Sequence, residues 1–175
     1  MHTHILLAVE ADSHAEAVET ANGWNESNAS WSDWYTVGGR YDDEGETVSY
    51  KENPEKFMEL VKRNMGWTQQ AKDDFIKGFG DIKLADILTN PKYSFRTMER
   101  NFNDKEISQE ERDQILTDSL MTFRAKRAIK LCDGDFTSDQ HFFDTVDYSA
   151  DAVGLMERIK TNPSEQYLVI MDYHF

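Results

Sequence analysis

The sequence predicts an α+β domain of the ferredoxin-like βαβ-βαβ kind, with an antiparallel sheet in the order 4-1-3-2 and a large helical insertion between its second and third strands. Three observations lead there. Short apolar runs at both ends of the chain flank amphipathic stretches, in the order strand, helix, strand and again strand, helix, strand. The middle of the chain has helical periodicity instead. Charge divides along the same lines: residues 1–50 carry one arginine and ten acids, residues 131–175 two bases and nine acids, and residues 51–130 sixteen bases and fourteen acids. The framework, 1–50 and 131–175, therefore holds −16 and the insertion, 51–130, +2, within a net charge of −14. A generic α+β domain with another strand order is the alternative that the same elements allow.

Each element has a local reason. His4 to Ala11 is an apolar run that reads as a buried strand. Ser13 with Glu16 forms a capping box; the helix behind it has Ala17, Val18 and Ala21 on one face, and Gly23 is placed to end it. Asn25 to Ser32 is polar and loop-like, and Trp34 to Val37 is the second strand. Asn53-Pro54 starts a helix that buries Phe57, Leu60 and Val61 and stops near Gly66. Trp67 to Phe79 and Ile82 to Leu88 are two further helices, and Tyr93 to Asn103 carries no clear signal. Ser108 with Glu111 is a second capping box, opening a long helix through Leu116, Leu120, Phe123 and Ala128 that ends before Gly134. Arg124, Lys126, Arg127 and Lys130 cluster in its last turns, where cations suit the helix dipole. The third strand is His141 to Val146, followed by a helix from Ser149 to Lys160 that Asn162-Pro163 stops. Tyr167 to Tyr173 is the strongest strand of the chain. Connections between parallel strands are expected to be right-handed, with the helices on one face of the sheet.

A length of 175 residues suits one domain with an insertion, and 39% apolar with 12% aromatic residues suffices for a core. A pI near 4.7 argues against direct binding to a nucleic-acid backbone. Cys132 is the single cysteine, so no internal disulfide forms; it reads as a small core residue. The apolar run after Met1 is short and lacks a basic start, and no stretch approaches the roughly 20 apolar residues of a membrane span, so a cytoplasmic protein without membrane contact is expected.

The segment Trp34-Tyr35-Thr36-Val37-Gly38-Gly39-Arg40-Tyr41-Asp42 stands out. Paired glycines permit positive φ and close backbone approach, and Arg40 is the only Lys or Arg among the first 50 residues. In the expected topology the start of the first strand, the end of the last and the Gly-Gly-Arg turn meet at one edge. That edge collects Gly38, Gly39, Arg40, Tyr41, Asp172 and His174 as a candidate ligand site. It also collects His2, His4, His141, Asp172 and His174 as candidate ligands of a divalent metal such as Zn²⁺, Mn²⁺ or Fe²⁺. An arginine could hold a phosphate bidentately, a histidine could move a proton, and the flanking Trp31, Trp34, Tyr35 and Tyr41 could stack a base. The competing reading is that strand-end His, Asp and Tyr only satisfy backbone groups or face solvent. No cofactor is firmly implied, and phosphate-loop, GxGxxG, CxxC, HExxH and GxSxG signatures are absent.

Asp33-Trp34-Tyr35-Thr36-Val37-Gly38-Gly39-Arg40-Tyr41 resembles the Asp-Trp-Tyr/Phe-x-Ile-Gly-Gly-Arg-Trp motif of small bacteriophage and bacterial proteins of unassigned activity. Their last strand ends in Val-Asp-x-His, matched by Met171-Asp172-Tyr173-His174. The resemblance covers about a third of the chain, leaves out the insertion, and has Tyr41 where the family has Trp. It implies a phage-type accessory protein in which Arg40, Asp172 and His174 belong together. The leading expectation is therefore an acidic accessory protein that acts by binding. It would inhibit a nucleic-acid-binding or defence protein of the host through its acidic framework, with Asp42, Asp43 and Glu44 as candidate contact residues. The alternative is a nucleotide-binding protein or a metal-assisted phosphodiesterase at the Arg40–Asp172–His174 edge.

Overall fold

The computed structural model describes residues 1–80, 83–103 and 107–175, with the backbone alone at 42, 84, 85, 88 and 95. In chain order the elements are β1 (His2–Glu10), α1 (His14–Asn28), β2 (Trp34–Val37), β3 (Thr47–Ser49), α2 (Pro54–Gly78), α3 (Leu84–Thr89), α4 (Phe95–Phe102), α5 (Gln109–Asp133), β4 (Phe142–Asp144), α6 (Val153–Thr161) and β5 (Gln166–His174). They form two compact units, Met1–Ala71 with Gly134–Phe175, and Lys72–Asp133. The first contains the whole sheet.

The fold class is α+β, but the sheet departs from the expected one. Its order is β2-β5-β1-β4, with β3 also on β5. In terms of the four expected strands this is 2-4-1-3. β1 and β5 pair antiparallel along their full lengths, while β1 and β4 pair in parallel, so the sheet is mixed rather than antiparallel. The reason lies in β5. Eight of its nine residues are buried, and a buried backbone needs ladder partners on both edges. In the order 4-1-3-2 this strand would be an edge. Here β1 takes one edge, and β2 and β3 together take the other.

Helices cover both faces, not one. Ile5, Leu7 and Val9 with Val169, Met171 and Tyr173 face α1 through Ala17 and Ala21. Leu6, Ala8, Leu168 and Ile170 face Phe57, Leu60 and Val61 of α2 and Leu155 of α6. The continuous apolar runs of β1 and β5 supply both faces. α6 is fixed by Arg158, whose guanidinium donates to both oxygens of the fully buried Asp144 at 2.7 and 2.8 Å.

Several boundaries move for local reasons. α1 runs through Gly23 to Asn28, because Asn25 turns inward to accept the Tyr173 hydroxyl at 2.5 Å. α2 continues through Gly66, uniting two expected helices. β4 is only three residues long, since the Asp144 carboxylate accepts from the Val146 N–H and turns the chain. α6 begins at Val153 rather than Ser149. β3 and α4 carry no clear signal in the sequence. Of the expected third helix, Ile82 lies outside the described residues. Cys132 is exposed, not a core residue. The second capping box closes, with Ser108 Oγ accepting from the Glu111 N–H and Glu111 from the Ser108 N–H; in the first, Ser13 Oγ accepts from the Glu16 N–H, but Glu16 accepts from the Asp12 N–H instead of that of Ser13.

Two glycines test this account in opposite directions. Gly39 has φ +59°, and a Cβ there would lie 2.7 Å from Asp172 Cβ and 2.8 Å from Thr36 Cγ2; Gly39→Ala should cost about 2 kcal/mol or more in denaturant titration. Gly23 lies inside α1 with nothing within 4 Å of the added atom; Gly23→Ala should stabilise by about 0.5–1 kcal/mol.

Candidate functional site

The strand register builds the site before any side chain is considered. Trp34, His174 and His2 lie side by side across β2, β5 and β1, and the next row of the same face is Thr36, Asp172 and His4. The edge strand then breaks. The Gly38 N–H donates to the Ile170 carbonyl, and the Ile170 N–H donates to the Glu46 carbonyl. Both ladder bonds thus fall on one residue of β5, and residues 39–45 leave the edge as a single excursion. Gly38 and Gly39 both take positive φ to start it. The excursion is a short 3₁₀ segment, and it places Tyr41 against His4 with ring centroids 4.6 Å apart.

Asp172 is the pivot. Its carboxylate is 1% exposed. Oδ1 accepts from His2 Nδ1 at 2.8 Å, and Oδ2 accepts the Arg40 backbone N–H at 3.1 Å. The expected meeting of Arg40 with Asp172 therefore occurs, but through the main chain. The Arg40 side chain is exposed and makes no hydrogen bond or ion pair among the described residues. His2, His174 and Trp34 form an aromatic strip one row along the sheet from Asp172. The Trp34 and His174 rings are parallel within 3°, with centroids 5.4 Å apart, and His2 meets both edge-on. Trp34 is 46% exposed. His174 Nδ1 lies 3.3 Å from Asp33 Oδ2, out of hydrogen-bond alignment.

In the next row of the same face, buried His4 and Asn64 join half-buried Glu44 and Arg63 in a polar network. Asn64 donates to the Leu60 carbonyl, which turns its Oδ1 toward His4 Nδ1 at 2.8 Å. The proton of neutral His4 therefore sits on Nδ1. Its Nε2 is bare, 3.3 Å from Glu44 Oε2 but not hydrogen-bonded to it. Arg63 donates to the same carboxylate oxygen at 2.7 Å and lies 4.6 Å over the Trp67 ring. Burial pushes the pKa of His4 below its ordinary value, and Glu44 and Asn64 only partly oppose it. Burial raises that of Glu44, but the Arg63 hydrogen bond and the charges of His4 and Arg63 outweigh it and leave the carboxyl below its usual range. Burial, then the Asp172 charge, raises Tyr41.

The five candidate metal ligands do not gather. His2 and Asp172 are bonded, and His174 packs on the His2 ring. His4 belongs to the Asn64 network, and His141 gives its Nδ1 proton to the His4 carbonyl at the other edge of β1. Among the described residues no group of three or more His, Cys, Asp or Glu side chains is arranged to hold a metal ion. Of the candidate contact residues, Asp43 is exposed, Glu44 is committed to Arg63, and the Asp42 side chain lies outside the described residues. Sequence reasoning missed Asn64, Arg63 and Trp67. Asn64 had a readable signal: it continues the Phe57, Leu60, Val61 stripe of α2, and a polar residue on a buried stripe needs a partner.

No family model, curated protein or solved structure matches this chain.

The buried histidine makes the fold pH-sensitive in a defined direction. Because the folded chain holds the His4 pKa below 6.5, the unfolded chain takes up that proton first. The contribution is intact above pH 6.5 and is lost as pH falls from there through the folded-state value. Glu44 adds a second loss that begins below its ordinary 4.5. Urea unfolding from pH 8 to 4 should show stability declining below pH 6.5, and His4→Gln should flatten that first decline. A slope unchanged by the substitution would contradict the assignment.

Proposed function

We propose that the protein works by binding, and that the Trp34–His174–Arg40 edge receives a planar, phosphate-bearing ligand of the nucleotide class. One observation carries the reading: a part-exposed, parallel Trp34–His174 pair lies one row along the sheet from Asp172, whose carboxylate holds the backbone N–H of Arg40, an exposed arginine with no side-chain hydrogen bond or ion pair among the described residues. An aromatic face suits a base, and a guanidinium suits a phosphate. The groups that acid–base chemistry would need are held elsewhere, with both Asp172 oxygens occupied and His4 buried. The exception is His2, which Asp172 orients through Nδ1 and which is 17% exposed at its side chain. His174, 34% exposed at its side chain and with Nδ1 making no hydrogen bond among the described residues, is a second imidazole at the same edge.

Calorimetry with nucleoside monophosphates, nucleosides and inorganic phosphate tests it. Nucleotides should bind, and Arg40→Ala and Trp34→Ala should each weaken binding about tenfold or more, a loss of about 1.4 kcal/mol. The absence of heat at millimolar nucleotide would sink the proposal.

A second reading has its own observation. An open groove of about 420 Å³ has Asp43, Glu44, Glu55 and Glu59 on its walls together with Lys56 and Arg63, a surplus of two negative charges, at the margin of a framework of charge −16. It suits a phage-type accessory protein that occupies a basic surface of a host nucleic-acid-binding or defence protein. Capture of such a partner should weaken with salt and with Asp43→Lys; salt-insensitive capture would contradict it.

A further inference from the structure

Three elements meet at His14, on the face of the sheet opposite the Trp34–His174 pair. His14 opens α1, whose first turn is fixed by Ser13 Oγ accepting from the Glu16 N–H. Thr47 opens β3 opposite Val169 of β5, so its side chain shares the α1 face of the sheet. Glu52 lies in the turn that the Asn53 N–H closes on the Ser49 carbonyl. The three side chains form one chain of hydrogen bonds. His14 Nε2 is 2.8 Å from Glu52 Oε2, and His14 Nδ1 is 2.5 Å from Thr47 Oγ1. The ring also stands edge-on to Tyr167, with centroids 5.1 Å apart.

The direction of this chain follows from its donors. A carboxylate only accepts, so Nε2 carries a proton; in the neutral ring Nδ1 is then bare, and the Thr47 hydroxyl donates to it. Carboxylate, imidazole and hydroxyl in that order let a base, oriented by a third group, take the hydroxyl proton as the oxygen attacks. The backbone supplies a donor for the charge that attack creates. Ladder bonds to β5 run through the Glu46 carbonyl and the Tyr50 N–H, so by the alternation of an antiparallel pair the Thr47 N–H points away from β5. Among the described residues no other strand borders β3. That N–H stands at an open edge next to its own Oγ1, where an oxyanion donor is needed.

We infer that Thr47, His14 and Glu52 form an acyl-transfer site for small activated carboxylic esters. Thr47 Oγ1 attacks the ester carbonyl carbon and its proton passes to His14 Nδ1. The bond from that carbon to the leaving oxygen breaks as His14 returns the proton to it. Water, deprotonated by the same Nδ1, then releases the acid and restores the hydroxyl. Glu52 is a positioning residue that holds the tautomer. His14 and Glu52 are 45 and 62% exposed at their side chains, so the substrate meets the group at the surface, which suits a small acyl donor.

Incubation of the full chain with p-nitrophenyl acetate, read by released nitrophenol and by peptide mass after acid quench, tests this. An acetyl group should appear on the peptide that carries Thr47. Thr47→Ser should keep both signals. Thr47→Val, which preserves the β-branched shape and whose fold circular dichroism checks, should abolish the acetyl group and the nitrophenol release that depends on it. His14→Gln should slow acetylation by about a hundredfold or more. Glu52→Gln should lower the saturating rate by about tenfold or more while leaving the half-saturating ester concentration unchanged. Acetyl groups found only on lysines or at the chain start, or a Thr47 acetylation unmoved by His14→Gln, overturn the inference. So does nitrophenol release that survives Thr47→Val in full, which belongs to exposed imidazoles acting alone.

Discussion

The framework hangs on the double-edged pairing of β5. A nine-residue strand buried on both faces can shed no backbone group into water, so both its edges must be filled. β1 fills one edge completely. The other is filled by a strand in two pieces, β2 and β3, because a single short strand cannot span nine residues. The rest follows. β1 and β2 run parallel with β5 between them, α1 spans that crossover on one face, and α2 and α6 close the other. The site is a consequence of the break between the two pieces.

That break matters because of where its slack goes. Residues 39–45 fold over the polar end of the sheet instead of into solvent, and Asp172 holds them there with one oxygen while orienting His2 with the other. A buried carboxylate is stable only if both oxygens are satisfied. Here one hydrogen bond fixes a turn and the other fixes an imidazole, so the backbone at Arg40 and the direction of the His2 ring are set by the same group. Gly39 belongs to this arrangement, since its missing Cβ is the space that Asp172 and Thr36 occupy.

Much of this was legible in the residues. The Gly-Gly turn, the Ser13 and Ser108 caps, the terminal strands and the meeting of the Arg40 backbone with Asp172 follow from local chemistry and from the antiparallel partnership of β1 and β5. The strand order was not read correctly, although a clue was present. Ile5 to Val9 and Leu168 to Met171 are continuous apolar runs, which mark strands covered on both faces, whereas one-sided coverage calls for alternation. Taken at face value they demand helices on two sides and a central place for β5. Gly23 and Gly66 misled because glycine tolerates a helix interior when tertiary packing holds it, as Asn25 and Asn64 do one turn or less away. β3 is three residues long and exists only because β5 offers it an edge, so no local signal could announce it. Tertiary pairing, not propensity, decides such strands.

Net charge by segment illustrates the limit of composition as a guide. Sixteen bases against fourteen acids makes residues 51–130 look featureless beside the acidic framework. Order along the chain says more than the sum. On α5 Glu110, Glu111 and Asp113 stand in the first turns with Arg112 among them, and Arg124, Lys126, Arg127 and Lys130 stand in the last turns. This arrangement suits the helix dipole, so it stabilises the isolated helix. The dipole accounts for the signs at the two ends. It does not account for Leu116, Leu120 and Phe123 standing in water midway between them, on the side away from the core.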